Sequence, residues 1–264
     1  VALMYSNGNP LSVVNSELRQ QCGGSLIAPD VVLAAAHCIK SDNGLGIVEA
    51  HPPYSVVINR NDLADKSQGQ EFLIKEMKIH PLYKPKTLKH DIALLFLEGN
   101  AASQTIPLVT SKEWRSLKKG TLLMVTGWGV TDANSFETSP VLNQVDVRLQ
   151  ETRTCKRNFI NYLTDARRDE RSTNELKQLK ARVKSGLTRN MFCAGINRGG
   201  KDSCSGDSGG PLYGTVNGLT KQVGIVSWGY GCAERRLPGV YTKLANYEQW
   251  IASEINQRSE PVPP

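Results

Sequence analysis

The chain has 264 residues, 39% hydrophobic and 22% charged, proportions of an ordinary soluble globular protein long enough to bury a core as one large domain or two small ones. Its longest apolar runs, such as DIALLFL at 91–97, fall far short of the roughly 20 residues a bilayer-crossing helix needs, so no membrane span is expected. A net charge of +7 and a pI near 9.1 would suit a polyanion binder, but much of the excess sits in DARRDERSTNELKQLKARVKSGLTR (165–189), where acids interrupt the bases as on a solvated helix face; no nucleic-acid partner is expected.

In chain order, short runs rich in β-branched and apolar residues recur between turn signals: SVVIN (55–59), EFLIKEMKI (71–79), DIALLFL (91–97), TLLMVTGW (121–128), VLNQVDVRL (141–149), KQVGIVSW (221–228) and GVYTKL (239–244). Several alternate with period two, which predicts an all-β barrel or sandwich. Two segments read as helical, the charged stretch between Arg167 and Val183 and NYEQWIASEIN (246–256). The stretch GNAASQTIPLV (99–109) is the expected boundary between two halves, and SEPVPP (259–264) reads as a loose tail or linker. No leader is visible at Val1, so either one has been removed or the chain is a fragment. Six cysteines, at 22, 38, 155, 193, 204 and 232, contain no CxxC pair. That disfavours zinc and favours three disulfides formed in an oxidising compartment, each contributing about 2–4 kcal/mol.

The segment KDSCSGDSGGP (201–211) sets Ser208 among glycines behind an acid. GDSGG also fits the G-x-S-x-G elbow of α/β-hydrolases, which requires its histidine after the serine. All four histidines, His37, His51, His80 and His90, precede Ser208, so that reading fails. The order His37, Asp91, Ser208 remains open. A serine hydroxyl is a weak nucleophile at neutral pH and needs a neighbouring base, which itself needs orienting. Taken singly, Ser208 and Asp91 could be turn residues and His37 a core histidine. His51, His80 and His90 read as surface or loop residues.

Seven blocks in order, CGGSLIAPDVVLAAAHC (22–38), HDIALLFL (90–97), VTGWG (125–129), MFCAG (191–195), DSCSGDSGGP (202–211), VSWGYGC (226–232) and PGVYTKL (238–244), resemble the chymotrypsin-like, trypsin-type serine proteases over nearly the whole chain. The resemblance implies an all-β fold of two packed antiparallel six-stranded barrels with a C-terminal helix. The expected limits are 1–104 for the first barrel, lacking the family's first fifteen or so residues, and 105–246 for the second, with a helical insertion near 163–188; a helix at 247–257 and the tail at 258–264 follow. It implies a secreted, zymogen-derived endopeptidase in which His37, Asp91 and Ser208 are catalytic. Gly206 and Ser208 supply the oxyanion hole, and Asp202, Ser203, Ser227, Trp228, Gly229 and Gly239 form the substrate pocket. An aspartate at position 202 implies cleavage after Arg or Lys. The implied disulfides are Cys22–Cys38, Cys155–Cys193 and Cys204–Cys232. No cofactor and no metal are implied. The partners implied are protein or peptide substrates and protein inhibitors, and the chain is expected to be a monomer.

Two departures from the family pattern stand out. Family members start with a freed Ile or Val whose amine pairs with the acid before the nucleophile, here Asp207. VALMYSNGN reads instead as the opening strand, so a longer precursor cut upstream of Val1 is expected. A truly absent activating N-terminus would favour the alternative of a catalytically silent, protease-like binding module. The second departure is the 37 residues between Cys155 and Cys193, expected to form a helical rim on the cleft. IKSDNGLGIVEAHPPYS (39–55) is either a stiff flap or an inert loop, and the acids of NRNDLADKSQGQE (59–71) do not line up as a calcium loop.

Overall fold

The structure is a computed structural model that describes residues 1–5, 19–42, 47–48, 55–132, 135, 137–165 and 186–257. His51, the tail and most of the expected helical insertion lie outside the described residues. Fifteen described strands form two barrel-like sheets and a small hairpin.

The first half contains β1 (Ala2–Tyr5), β2 (Arg19–Gly23), β3 (Ser25–Ala28), β4 (Val31–Ala34), β7 (Ser55–Ile58), β8 (Gln70–Ile79) and β9 (Ala93–Leu97), with the two-residue strands β5 (Ser41–Asp42) and β6 (Ile47–Val48) paired apart from them. These seven strands run in the order β2-β1-β7-β8-β9-β4-β3. The two edge strands, β2 and β3, are consecutive in the chain with only Gly24 between them, so one bent strand belongs to both ends and nearly closes the barrel. A side chain at Gly24 would press on the Val32 side chain, which is why the bend falls at a glycine. β9 is buried along its whole length and therefore reads as an unbroken apolar run rather than an alternation.

The second half is a closed barrel, β10 (Leu122–Gly127), β11 (Asn143–Leu149), β12 (Met191–Gly195), β15 (Gly239–Lys243), β14 (Leu219–Trp228) and β13 (Pro211–Val216), in that spatial order. β10 alternates exposed and buried positions as a barrel strand should. β13 and β14 join at Asn217-Gly218, both with positive φ, the turn chemistry a two-residue hairpin demands.

One apolar cluster runs through both halves, from Leu26 and Phe96 to Leu212 and Ile225. Within that interface the buried Ser25 hydroxyl donates to Gln222 Oε1 at 2.6 Å, a polar pin between barrels. Among the described residues three α-helices lie outside the sheets: α1 (Ser111–Trp114), α2 (Thr152–Asp165) and α3 (Glu248–Gln257). The charged stretch between Arg167 and Val183, expected to be helical, lies outside the described residues; α2 precedes it, in TRTCKRNFINYLTD. Cys155 and Phe159, one turn apart on α2, pack with Leu187, Met191 and Leu237. The disulfides are Cys22–Cys38, Cys155–Cys193 and Cys204–Cys232, and they use all six cysteines. Among the described residues no helix is long and apolar enough to cross a membrane.

Candidate active site

His37 stands in a single 3-10 turn, Ala36–Cys38, directly after β4. The preceding alanines are fully buried, and their small size lets another backbone approach. Asp91 sits 54 residues later, just before β9, after a turn in which Ile92 N–H donates to His90 O and His90 takes a positive φ. That turn brings the Asp91 carboxylate under the histidine. Asp91 Oδ1 accepts from the His37 backbone N–H at 2.9 Å, and Oδ2 lies 2.8 Å from His37 Nδ1. Ser227 Oγ also donates to Oδ2, while Thr242 Oγ1 donates to the Asp91 carbonyl at 2.8 Å. Asp91 is thus wholly buried, with every partner of its carboxylate a donor. A carboxylate can only accept here, so Nδ1 carries a proton and Nε2 is left with a free lone pair. The His37 side chain remains 19% exposed. Burial by itself would lower the imidazole pKa, but the charge of Asp91 and its hydrogen bond outweigh that and hold it above 6.5.

Ser208 arrives from the other barrel, in the loop before β13. Its carbonyl accepts from Gly23 N–H at 2.7 Å and lies 3.6 Å from the Cys38 sulfur, which as a cystine donates nothing. Gly209 N–H donates to Val226 O and Val226 N–H to Gly210 O, tying the loop to β14 next to Ser227. Ser208 is thereby seated against the residue that follows His37. The following glycine makes this approach possible. Gly209 has φ +79°, and a β-carbon there would stand 2.6 Å from Gly23 O and 3.2 Å from the Cys38 sulfur.

Three consecutive peptide planes in this loop are pinned by their carbonyls. Ser205 O accepts from Val130 N–H at 2.8 Å, Gly206 O from Gln20 Nε2 at 2.7 Å, and Asp207 O from Gly210 N–H at 2.9 Å. Among the described residues the N–H groups of Gly206 and Ser208 have no acceptor in the protein. Two free, fixed amide donors one residue apart can cradle an oxygen anion.

The polypeptide around this loop matches known proteins along most of its length. The sequence profile of the Trypsin family covers residues 5–251. The chain belongs to the trypsin family. Among its relatives, Trypsin-3 of Salmo salar is 34% identical over 237 residues, spanning 89% of this chain and 83% of that protein. Anionic trypsin of Canis lupus familiaris is 35% identical over 240 residues, spanning 90% and 81%, and Trypsin Blo t 3 of Blomia tropicalis is 36% identical over 236 residues, spanning 87% and 75%. As a family member the chain is a trypsin-like serine protease, a hydrolase.

Next to this trypsin-family loop lies a second carboxylate. Asp202 is tucked below the Cys204–Cys232 bridge, where Ser203 N–H reaches its Oδ1 at 2.9 Å and Ala233 N–H its Oδ2 at 3.3 Å. Burial pushes its pKa up to about 7, against these backbone donors and that of Gly239. A β-carbon on Gly239 would come within 2.9 Å of Asp202 Oδ1, and one on Gly229 would lie 4.0 Å from the Gly239 Cα. The two glycines thus approach one another beside the carboxylate. Ser203 Oγ meets the Tyr241 hydroxyl at 3.1 Å beside it. Asp207 points the other way, accepting from Gly129 N–H and Cys204 N–H, each at 2.8 Å. Burial raises its pKa too, and among the described residues no cation pairs with it. A side chain at Gly127 or Gly129 would fall onto the Asp207 carboxylate, which accounts for the glycines of VTGWG. A cavity of about 250 Å³ borders Gly127, Gly129, Asn143, Lys201, Asp202 and Asp207.

Sequence reading assigned Ser227 to the pocket wall without its bond to Asp91, and it passed over Gln20, Gly23, Val130 and Thr242. Lone polar or small residues within strands carry no signal of a partner far along the chain. His80 and His90 stack with ring centroids 4.9 Å apart beside Tyr247 and Trp250. Burial lowers both imidazole pKa values, that of His80 to about 4, so this pair is packed and neutral.

Proposed function

We propose that the chain is an endopeptidase that cleaves peptide bonds after arginine or lysine, with His37, Asp91 and Ser208 as its triad. His37 Nε2 takes the Ser208 proton while Oγ bonds to the scissile carbonyl carbon. The carbonyl oxygen becomes an anion received by the N–H groups of Gly206 and Ser208. The tetrahedral species collapses as the C–N bond breaks, and the His37 proton passes to the departing amine. Water, deprotonated by His37, then attacks the acyl-enzyme and releases the acid product with Ser208 restored. Asp91 holds the proton on Nδ1 and balances the imidazolium, and no cofactor takes part.

The observation that carries the specificity is Asp202, a half-buried carboxylate with no cationic partner among the described residues, beside Gly229 and Gly239, which with Ser227 and Trp228 would wall the slot leading to it. A guanidinium or ammonium seated there regains the charge pairing that burial denies. Replacing Asp202 with serine should reduce kcat/KM for an Arg or Lys chromogenic substrate by about 10³, the scale of breaking a buried pair at 3–5 kcal/mol. Cleavage of Phe or Leu substrates by the wild type, with none of Arg or Lys, would overturn the specificity.

The acid limb of kcat measures the His37 ionisation. Asp202 also titrates near 7 in the empty pocket, so saturating Arg substrate is used to keep it ionised. His37 acts as a base only when neutral, so kcat should rise with pH through an ionisation displaced above 6.5. A limb at or below 6.5 contradicts the coupling of His37 to Asp91.

The proposal includes activation. The bare Asp207 carboxylate and the cavity beside it would receive an N-terminal ammonium freed by cleavage of a precursor. Three disulfides fit an oxidising, extracellular setting, where protein substrates and protein inhibitors would be met by a monomer.

A further inference from the structure

Of the three pinned carbonyls in the nucleophile loop, two are held by backbone N–H groups of the second barrel. The middle one, Gly206 O, is held by a side chain that reaches across from β2 of the first barrel. We propose that Gln20 is a positioning residue for the oxyanion hole: its amide fixes the Gly206–Asp207 peptide, the link between the two peptides that carry the Gly206 and Ser208 N–H groups, and so fixes how those two donors stand to one another. This rests on the reading of the loop as a protease oxyanion hole.

Gly206 has φ +95° and no side chain to limit its rotation, so the orientation of its peptide must be imposed from outside. Gly206 O can only accept, so the Gln20 atom facing it at 2.7 Å is Nε2. Three residues along the same strand, Gly23 N–H holds Ser208 O at 2.7 Å. β2 therefore grips the loop at two points that bracket Asp207, one on each side of the hole.

The other end of the Gln20 side chain shows what the residue is for. Gln20 is 7% exposed, and its Oε1 is buried with no hydrogen-bond partner among the described residues. Leucine or methionine would fill such a site without burying an unpaired amide oxygen, but would leave Gly206 O without its donor. Glutamine is explained by the donor it aims at Gly206.

The test compares Gln20→Leu, Gln20→Met and Gln20→His with the wild type in the mature protein. The readouts are kcat and KM on an Arg chromogenic substrate, affinity for an Arg peptide aldehyde, affinity for benzamidine, and Tm. The aldehyde carbon accepts the Ser208 oxygen and places its hemiacetal oxygen in the hole, whereas benzamidine fills only the Asp202 slot. Both apolar variants should lose about tenfold in kcat, less than deletion of an oxyanion donor because both donors remain and only the peptide between them is released. Aldehyde affinity should fall by a similar factor, with KM and benzamidine affinity within twofold and Tm within a few degrees, since one unpaired oxygen is exchanged for another. Gln20→His, which again offers an N–H, should recover part of kcat. If Gln20→Leu does not fold, Gln20→Met carries the same comparison. Unchanged kcat, or parallel losses of aldehyde and benzamidine affinity, would overturn the proposal. A wild type that fails to hydrolyse the substrate would instead overturn the protease reading itself.

Discussion

Ser208→Ala should lower kcat on an Arg chromogenic substrate by about 10⁶, the cost of removing the nucleophile from a serine-protease triad. The change deletes one oxygen and leaves the loop intact, because Ser208 is held through its carbonyl to Gly23 N–H rather than through its side chain. Gly206 and residue 208 keep their amide donors, so catalysis some 10³–10⁴ above the reaction in water remains from the oxyanion hole and substrate binding. Benzamidine affinity should be unchanged, since the Asp202 slot is untouched. Loss of benzamidine binding together with activity would trace the effect to the fold, and activity within tenfold of the wild type would remove Ser208 as the nucleophile.

Asp91→Asn should lower kcat by about 10⁴, a magnitude established for this family's own triad and adopted from it. The geometry explains why an isosteric change is so costly. The carboxylate accepts from His37 N–H, from His37 Nδ1 and from Ser227 Oγ. An asparagine must turn its NH₂ toward one of these. If it faces Nδ1, the imidazole takes the other tautomer, Nε2 becomes protonated, and no lone pair is left to accept the Ser208 proton. Raising the pH restores neither tautomer nor rate. A variant within tenfold of wild type would remove Asp91 from the mechanism.

Much of the fold was legible because its constraints act on the main chain. Gly209 must let Ser208 meet Gly23 and Cys38, and Gly129 must clear Asp207, so GDSGG and VTGWG survive as readable blocks. The strand runs were legible for the same reason that β9 is buried throughout and β10 alternates. The order of His37, Asp91 and Ser208 along the chain by itself excludes an elbow-type hydrolase. The bent β2–β3 strand was not legible, because a single glycine between apolar residues does not announce that one chain serves both edges of a sheet. The start of α2 was passed over for the charged run after it, although Cys155, Phe159 and Leu163 recur every fourth residue. Gln20 was invisible for a deeper reason. Its meaning lies in a carbonyl 186 positions away, and no local pattern encodes that.

The most direct test of the triad uses an organofluorophosphonate, which is attacked by an activated serine with loss of fluoride and leaves a stable Oγ–P bond. After reaction with the mature protein, peptide mass spectrometry should find one adduct, on Ser208, and none in the Asp91→Asn variant over the same time. An unmodified wild type, or an adduct elsewhere that leaves Ser208 free, would contradict the account.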